Sequence, residues 1–135
     1  MSVRKNDDGS NSIRGLIISK AKYLGSCLLP SPIESEATLS FHSDRIEIPE
    51  LDTSLPIEQV SKVELFEGSN LPAKTAMMFG VVGVVIEKDK PYMIIVIGNN
   101  SQDMLFKLND RIIAEQLVAE INNALKQLTA KGKSM

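Results

Sequence analysis

Several things are scarce in this 135-residue chain, and each scarcity excludes something. A single cysteine, Cys27, rules out an intrachain disulfide and is compatible with a reducing compartment. Tryptophan is absent, and only two Tyr and four Phe occur, too few for a base-stacking platform. One histidine and one cysteine give no metal-ligand spacing, so neither a metal nor another cofactor is expected. Strong charge of one sign is also lacking. A formal net charge of −2 gives no basic surface for nucleic acid.

Long hydrophobic runs are missing as well. The most apolar stretch, "MMFGVVGVVIEKDKPYMIIVI" at 77–97, is broken by Glu87, Lys88, Asp89 and Lys90. A membrane-spanning helix needs about 20 uninterrupted apolar residues, and neither half reaches that. Its glycines, Gly80 and Gly83, do not make a phosphate loop, because neither G-x-x-x-x-G-K-[ST] nor G-x-G-x-x-G occurs. The β-branched Val81, Val82, Val84 and Val85 favour strand. The stretch is expected to be a β-hairpin, with strands over 76–87 and 92–97 and a turn at 88–91.

What is present is a globular composition, 43% hydrophobic and 24% charged, in a chain of one-domain length. Residues 1–12, "MSVRKNDDGSNS", have no apolar h-region and are read as a tail. A single domain is expected over 13–131, in the cytoplasm. "LIISKAKYLGSCLLP" reads as one long strand or two, broken near Gly25, and "PSPIES" as a loop set by Pro30 and Pro32. In "EATLSFHSDRIEIPE", Ala37, Leu39 and Phe41 alternate with Thr38, Ser40 and His42. After the "HSD" turn, Ile46 and Ile48 alternate with Arg45 and Glu47. "IEQVSKVELF" at 57–66 and "QDMLFKLN" near 102–109 read as further strands, with "EGSNLPAKT" as a loop.

The period then changes. Ile113, Leu117, Ile121, Ala124 and Leu128 recur at helical spacing, opposite Glu115, Gln116, Glu120, Asn123 and Lys126. Asn109 or Asp110 is suited to cap the start, and Gly132 the end. The expected fold is mainly β with one C-terminal helix: a bent antiparallel sheet of about seven strands, a partly open barrel capped by that helix.

This order resembles the pleckstrin-homology superfold, including its GRAM-type and bacterial PH-like members, over residues 16–130. The resemblance is carried by the "I-x-I" edge at Ile46 and Ile48, by "I-x-x-V-x-x-V" at Ile57, Val60 and Val63, and by the last strand and helix. It implies a binding or scaffolding module and no enzyme. Some members of the family bind phosphoinositides through bases near the first strand and the loop after it. Here Lys20 and Lys22 stand on that strand, but the loop "PSPIESE" carries Glu34 and Glu36 and no base. Two lysines without an arginine fork make a poor phosphate clamp.

The remaining candidates read as ordinary surface or core. His42 beside Ser40, Ser43 and Asp44 is a turn residue, since adjacency in sequence is not the geometry of a triad. Glu34, Glu36, Glu47, Glu50 and Asp52 are solvated charge, and Cys27 is a small buried hydrophobe. Three functions follow: a protein-interaction or self-assembly module; a peripheral anionic-lipid binder using Lys20, Lys22, Lys74, Lys88 and Lys90; or a small enzyme or carrier of a small apolar ligand on a helix-capped β-barrel. A hairpin apolar on both faces needs cover on both. The expected self-association face is therefore Met78, Val82, Val84, Ile86, Met93, Ile95 and Ile97, with a second copy or another protein as partner. The alternative covers for that face are the N-terminal strand, the 67–75 loop or direct contact with a membrane.

Overall fold

The alternation at 37–48 becomes the antiparallel hairpin it implies. In the computed structural model, which describes residues 16–27, 30–98 and 102–133, the strands are β1 (Ile17–Gly25), β2 (Pro30–His42), β3 (Arg45–Ile48), β4 (Thr53–Pro56), β5 (Val60–Glu67), β6 (Pro91–Ile97) and β7 (Gln102–Leu108). Helix α1 (Ala73–Val82) lies between β5 and β6, and α2 (Arg111–Lys133) follows β7. The expected tail over residues 1–12 lies outside the described residues.

All seven strands join one antiparallel sheet in the order β4-β3-β2-β1-β7-β6-β5. Two meanders, β1–β4 and β5–β7, meet where β1 pairs β7 through Ala21↔Leu108, Lys22↔Lys107 and Tyr23↔Phe106. The sheet curls into a half-barrel, and α2 lies against β5, β1 and the 3₁₀ turn Ile57–Gln59 that links the two edge strands. The concave side is filled by Leu39, Phe41, Ile46, Ile48, Met93, Ile95, Phe106 and Leu108, with Ala114, Leu117 and Ile121 from the helix. Asp110 caps α2, its Oδ1 accepting the Ile113 N–H at 3.1 Å. Gly132 does not end the helix, which runs to Lys133; a glycine inside a helix costs only about 1 kcal/mol.

The three-residue spacing of Ile57, Val60 and Val63 has a local cause. Ile57 sits in the 3₁₀ turn, and the register slips between Val60 and Lys62, where Val60 opposes Ile97 and Lys62 opposes Val96. The extra residue turns Val60 and Val63 to the same side, so all three are buried.

Two further sequence expectations are corrected. "PSPIES" is not a loop but the start of β2. Pro30 opposes Gly25 at the strand's first position, and pairing resumes at Tyr23↔Ser35. Pro32 therefore falls in the irregular stretch between these pairs, where no ladder donor is asked of it. Residues 76–87 are also not a strand. Ala73, Lys74, Ala76, Met77 and Met78 are good helix formers. Gly83, at φ +79°, then ends α1 in a Schellman motif. Its N–H donates to Gly80 O at 3.2 Å, and the Val84 N–H donates to Phe79 O at 2.8 Å. Val84 packs into the cluster that contains Phe79, the apolar contact such a cap prefers. The four valines are thus split by a helix stop, two in the last turn and two in the extended segment beyond it.

Candidate interaction surface

Strand β6 is apolar on both faces and covered on both. Met93 and Ile95 enter the concave core, while Tyr92 and Ile94 face outward with Leu24 of β1 and Leu105 of β7. The outer cover is α1 and its flanks: Leu71, Phe79, Val84 and Ile86 pack on that outer face. Phe79 meets Tyr92 edge-on, with ring centroids 6.0 Å apart.

The seven residues expected to form one self-association face are therefore divided. Met93, Ile95 and Ile97 belong to the barrel interior. Val84 and Ile86 line the outer cluster, and Met78 and Val82 are half-buried on α1. The reason is the helix. Once 73–82 coils, odd and even positions no longer sort to two faces, and α1 itself supplies the cover.

The segment after α1 is held down at several points. Gly68 N–H donates to Lys90 O at 2.9 Å, and Ser69 N–H to Lys88 O at 3.1 Å. The Glu87 N–H donates to the Tyr92 hydroxyl at 2.9 Å. Lys107, buried on the outer face of β7, donates to Glu34 Oε2 at 2.6 Å and to the Glu87 carboxylate. Burial alone would lower the Lys107 pKa, but the hydrogen bonds to Glu34 and Glu87 hold it above the ordinary lysine value. The Lys107 hydrogen bond in turn holds the Glu87 carboxyl below its usual range. Burial raises the Tyr92 phenol. Lys107 stands directly opposite Lys22, a repulsive arrangement; it is neutralised by Glu34 and Glu87 on one lysine and by Glu36 on the other.

The five candidate lysines do not converge as free charge. Lys20 is exposed on β1, and Lys22 is paired with Glu36. Lys74 is exposed in the first turn of α1. Lys88 and Lys90 flank Asp89 in the turn before β6. Most of the singled-out carboxylates have local partners. Glu47 accepts from Arg45 Nε at 2.6 Å, and Glu50 accepts from the Thr38 N–H and hydroxyl at 2.7 and 2.6 Å. Asp52, at φ +51°, closes the 3₁₀ turn Pro49–Leu51. His42 Nε2 lies 3.5 Å from Glu47, while Asp44 pairs with Arg45 rather than with the histidine. No group of three or more His, Cys, Asp or Glu converges on a common point among the described residues.

Cys27 is buried beside Thr75 and Asp103, and its N–H donates to Asp103 Oδ1 at 3.0 Å. Burial and the Asp103 charge push its thiol up to about 12, so it is no nucleophile near neutral pH. A groove of about 210 Å³ runs between the Ser43–Asp44 turn, Ile57 and Ala124, Gln127 and Leu128 of α2. It is below the roughly 300–1,000 Å³ of usual ligand pockets.

What stands out is the solvent side of α1. Apart from Lys74 and Thr75 the helix is apolar or glycine throughout, yet only Thr75 and Phe79 are buried. Met77 is 62% exposed, Val81 71%, and Val85, just past the cap, 83%. A helix hydrophobic all round is normally buried. Sequence reasoning placed Met77, Val81 and Val85 in a strand over 76–87; the Gly83 stop after a run of helix formers was the signal that could have relocated them. Among the described residues no helix is long and apolar enough to cross a membrane. No protein-family model matches the chain, and no curated protein matches it.

Proposed function

We propose that this chain is a non-catalytic protein-interaction module of PH-like type, with the outer face of α1 as its docking surface. The carrying observation is the exposure of Met77, Val81 and Val85 on an element with almost no polar side chains. Such a patch, on the order of a few hundred Å², is often functional on a soluble protein. A four-stranded and a three-stranded meander closed by a C-terminal helix support the PH-like part of the reading. The filled half-barrel interior favours docking on the outside over carriage of an apolar ligand. The lone buried cysteine suits a cytoplasmic setting. Lipid binding through the lysines is supported less, because Lys22 is neutralised by Glu36 and Lys88 and Lys90 alternate with Glu87 and Asp89.

The test is a photo-crosslinking residue placed at position 81 in the producing cell, with position 62, exposed on β5, as control. Discrete protein adducts at 81 and none at 62 are expected. Equal labelling at both positions, or none at either, refutes the docking surface.

A further inference from the structure

We infer that the occupant of the outer α1 face is a second copy of this chain, docked about a two-fold axis with the two α1 helices antiparallel. The inference rests on the reading of this face as a docking surface and adds the identity of the partner.

Charge placement points to the second copy. Lys74 lies in the first turn of α1, where the helix dipole repels a cation; that turn holds no acid, and the last turn holds no base. Within one copy this arrangement is unfavourable at the first turn and leaves the last turn without a cation. Lys74 is exposed and has no ion pair among the described residues. Antiparallel docking brings each Lys74 to the C-terminal end of the partner's α1, where the dipole attracts it. A parallel pair would instead bring two Lys74 together.

The shape agrees with the charge. Gly80 is exposed in the helix interior, and a Cβ there would meet nothing within 4 Å. Its backbone does not take the left-handed conformation that favours glycine. Nothing within the described chain therefore calls for a glycine, although one in mid-helix is less stable than alanine. A bare backbone between Met77 and Val81 allows a second helix to approach closely. With Gly80 near the axis, Met77 of each copy packs against Val81 of the other, and the same patch serves both subunits, as a two-fold contact requires. A bilayer would not use this end-to-end asymmetry. The mixed signs of Glu87, Lys88, Asp89 and Lys90 also give it little electrostatic attraction.

Sedimentation velocity of the unmodified chain across the micromolar range is expected to show a monomer–dimer equilibrium. Val81→Lys, at an already exposed position, should weaken it by roughly tenfold or more while circular dichroism stays unchanged. Met77→Lys is the second variant if the first misfolds. Mixing Met77→Cys with Val81→Cys under oxidation should give mainly the mixed disulfide, since Cys27 is buried. A predominance of 77–77 and 81–81 links overturns the antiparallel arrangement. A dimer insensitive to both lysine variants overturns the α1 interface. A protein monomeric at high micromolar concentration overturns the second copy; if position 81 still crosslinks to other proteins, the docking surface itself stands. Sedimentation of that monomer with phosphatidylserine-containing vesicles, abolished by Val81→Lys, overturns both readings in favour of a membrane.

Discussion

Replacing Gly68 by alanine isolates the contact that holds the outer cover in place. The Gly68 backbone is not in the left-handed region, so conformation alone would permit alanine. Space does not. A Cβ there would fall inside the contact distance of the Glu87 carbonyl oxygen, with the carbonyl carbon at 2.9 Å and Lys88 Cα at 3.0 Å. All three atoms are backbone, so the 87–90 turn must move as a unit. Overpacking of this kind costs about 1–3 kcal/mol. The turn's movement strains the hydrogen bonds from Gly68 N–H to Lys90 O and from Ser69 N–H to Lys88 O, each worth about 0.5–1.5 kcal/mol. Partial relaxation makes the terms less than additive, and a loss of about 2–4 kcal/mol is expected. Urea melts should show a lower midpoint with the slope unchanged, and heating should show a midpoint lowered by several degrees. Gly80→Ala is the internal control, because its new methyl meets nothing within the chain. In the Val81→Lys background, where self-association does not contribute, it should gain about 0.5–1 kcal/mol from helix propensity. If Gly68→Ala changes stability by less than about 0.5 kcal/mol, the 87–90 turn is not pressed against residue 68 and the account of the cover is wrong.

Other substitutions probe the remaining contacts. Leu117→Ala and Ile121→Ala remove side chains at most 1% exposed and should each cost about 2–5 kcal/mol in urea. Glu115→Ala and Lys126→Ala, on the solvent side of α2, should stay within about 0.5 kcal/mol; comparable losses at all four sites would mean that α2 is not docked. Lys107→Met should cost about 1–3 kcal/mol, less than for a wholly buried pair, because Glu34 and Glu87 reach water once released. Lys107 depresses the Glu87 pKa, so that carboxyl's contribution is full above the ordinary glutamate pKa and is lost as pH falls through the folded value. Below about pH 4 the gap between the parent and Lys107→Met should therefore narrow, and a gap independent of pH would contradict the ion pair. The Cys27 thiol is raised to about 12, so its protonated form stabilises the fold below the unfolded thiol pKa, and this is lost as pH rises from about 9 toward 12. Native protein should resist iodoacetamide at pH 8 and react on unfolding; rapid native labelling would contradict the burial.

The period of the sequence determined most of the half-barrel. Alternation within 37–42 and 45–48, and the Met104, Phe106, Leu108 series, fixed which side chains face inward, and the 3.6-residue stripe fixed the buried face of α2 around Leu117 and Ile121, though Leu128 at its end is exposed. These signals are legible because each residue's fate depends on neighbours a few positions away. Asp110 could be read as a cap for the same reason, its side chain bonding three residues on. Tertiary structure decided the rest. Pro30 and Pro32 marked a loop by local rules, and only the register slip against Tyr23 and Gly25 makes room for them inside β2. The valines of 81–85 have strand propensity in isolation, yet the outer face of β6 has to be covered, and a helix stopped at Gly83 covers it with Phe79 and Val84. Propensity differences of a few tenths of a kcal/mol per residue lose to the burial of Phe79, Tyr92, Ile94 and Leu105, each worth about 1.5–3 kcal/mol. The Gly83 stop could have placed Met77 and Val81 on a helix, but the exposure of Met77, Val81 and Val85 was not legible. Which side of α1 meets water is set by where the sheet lies beneath it, and that is a property of strands distant in sequence.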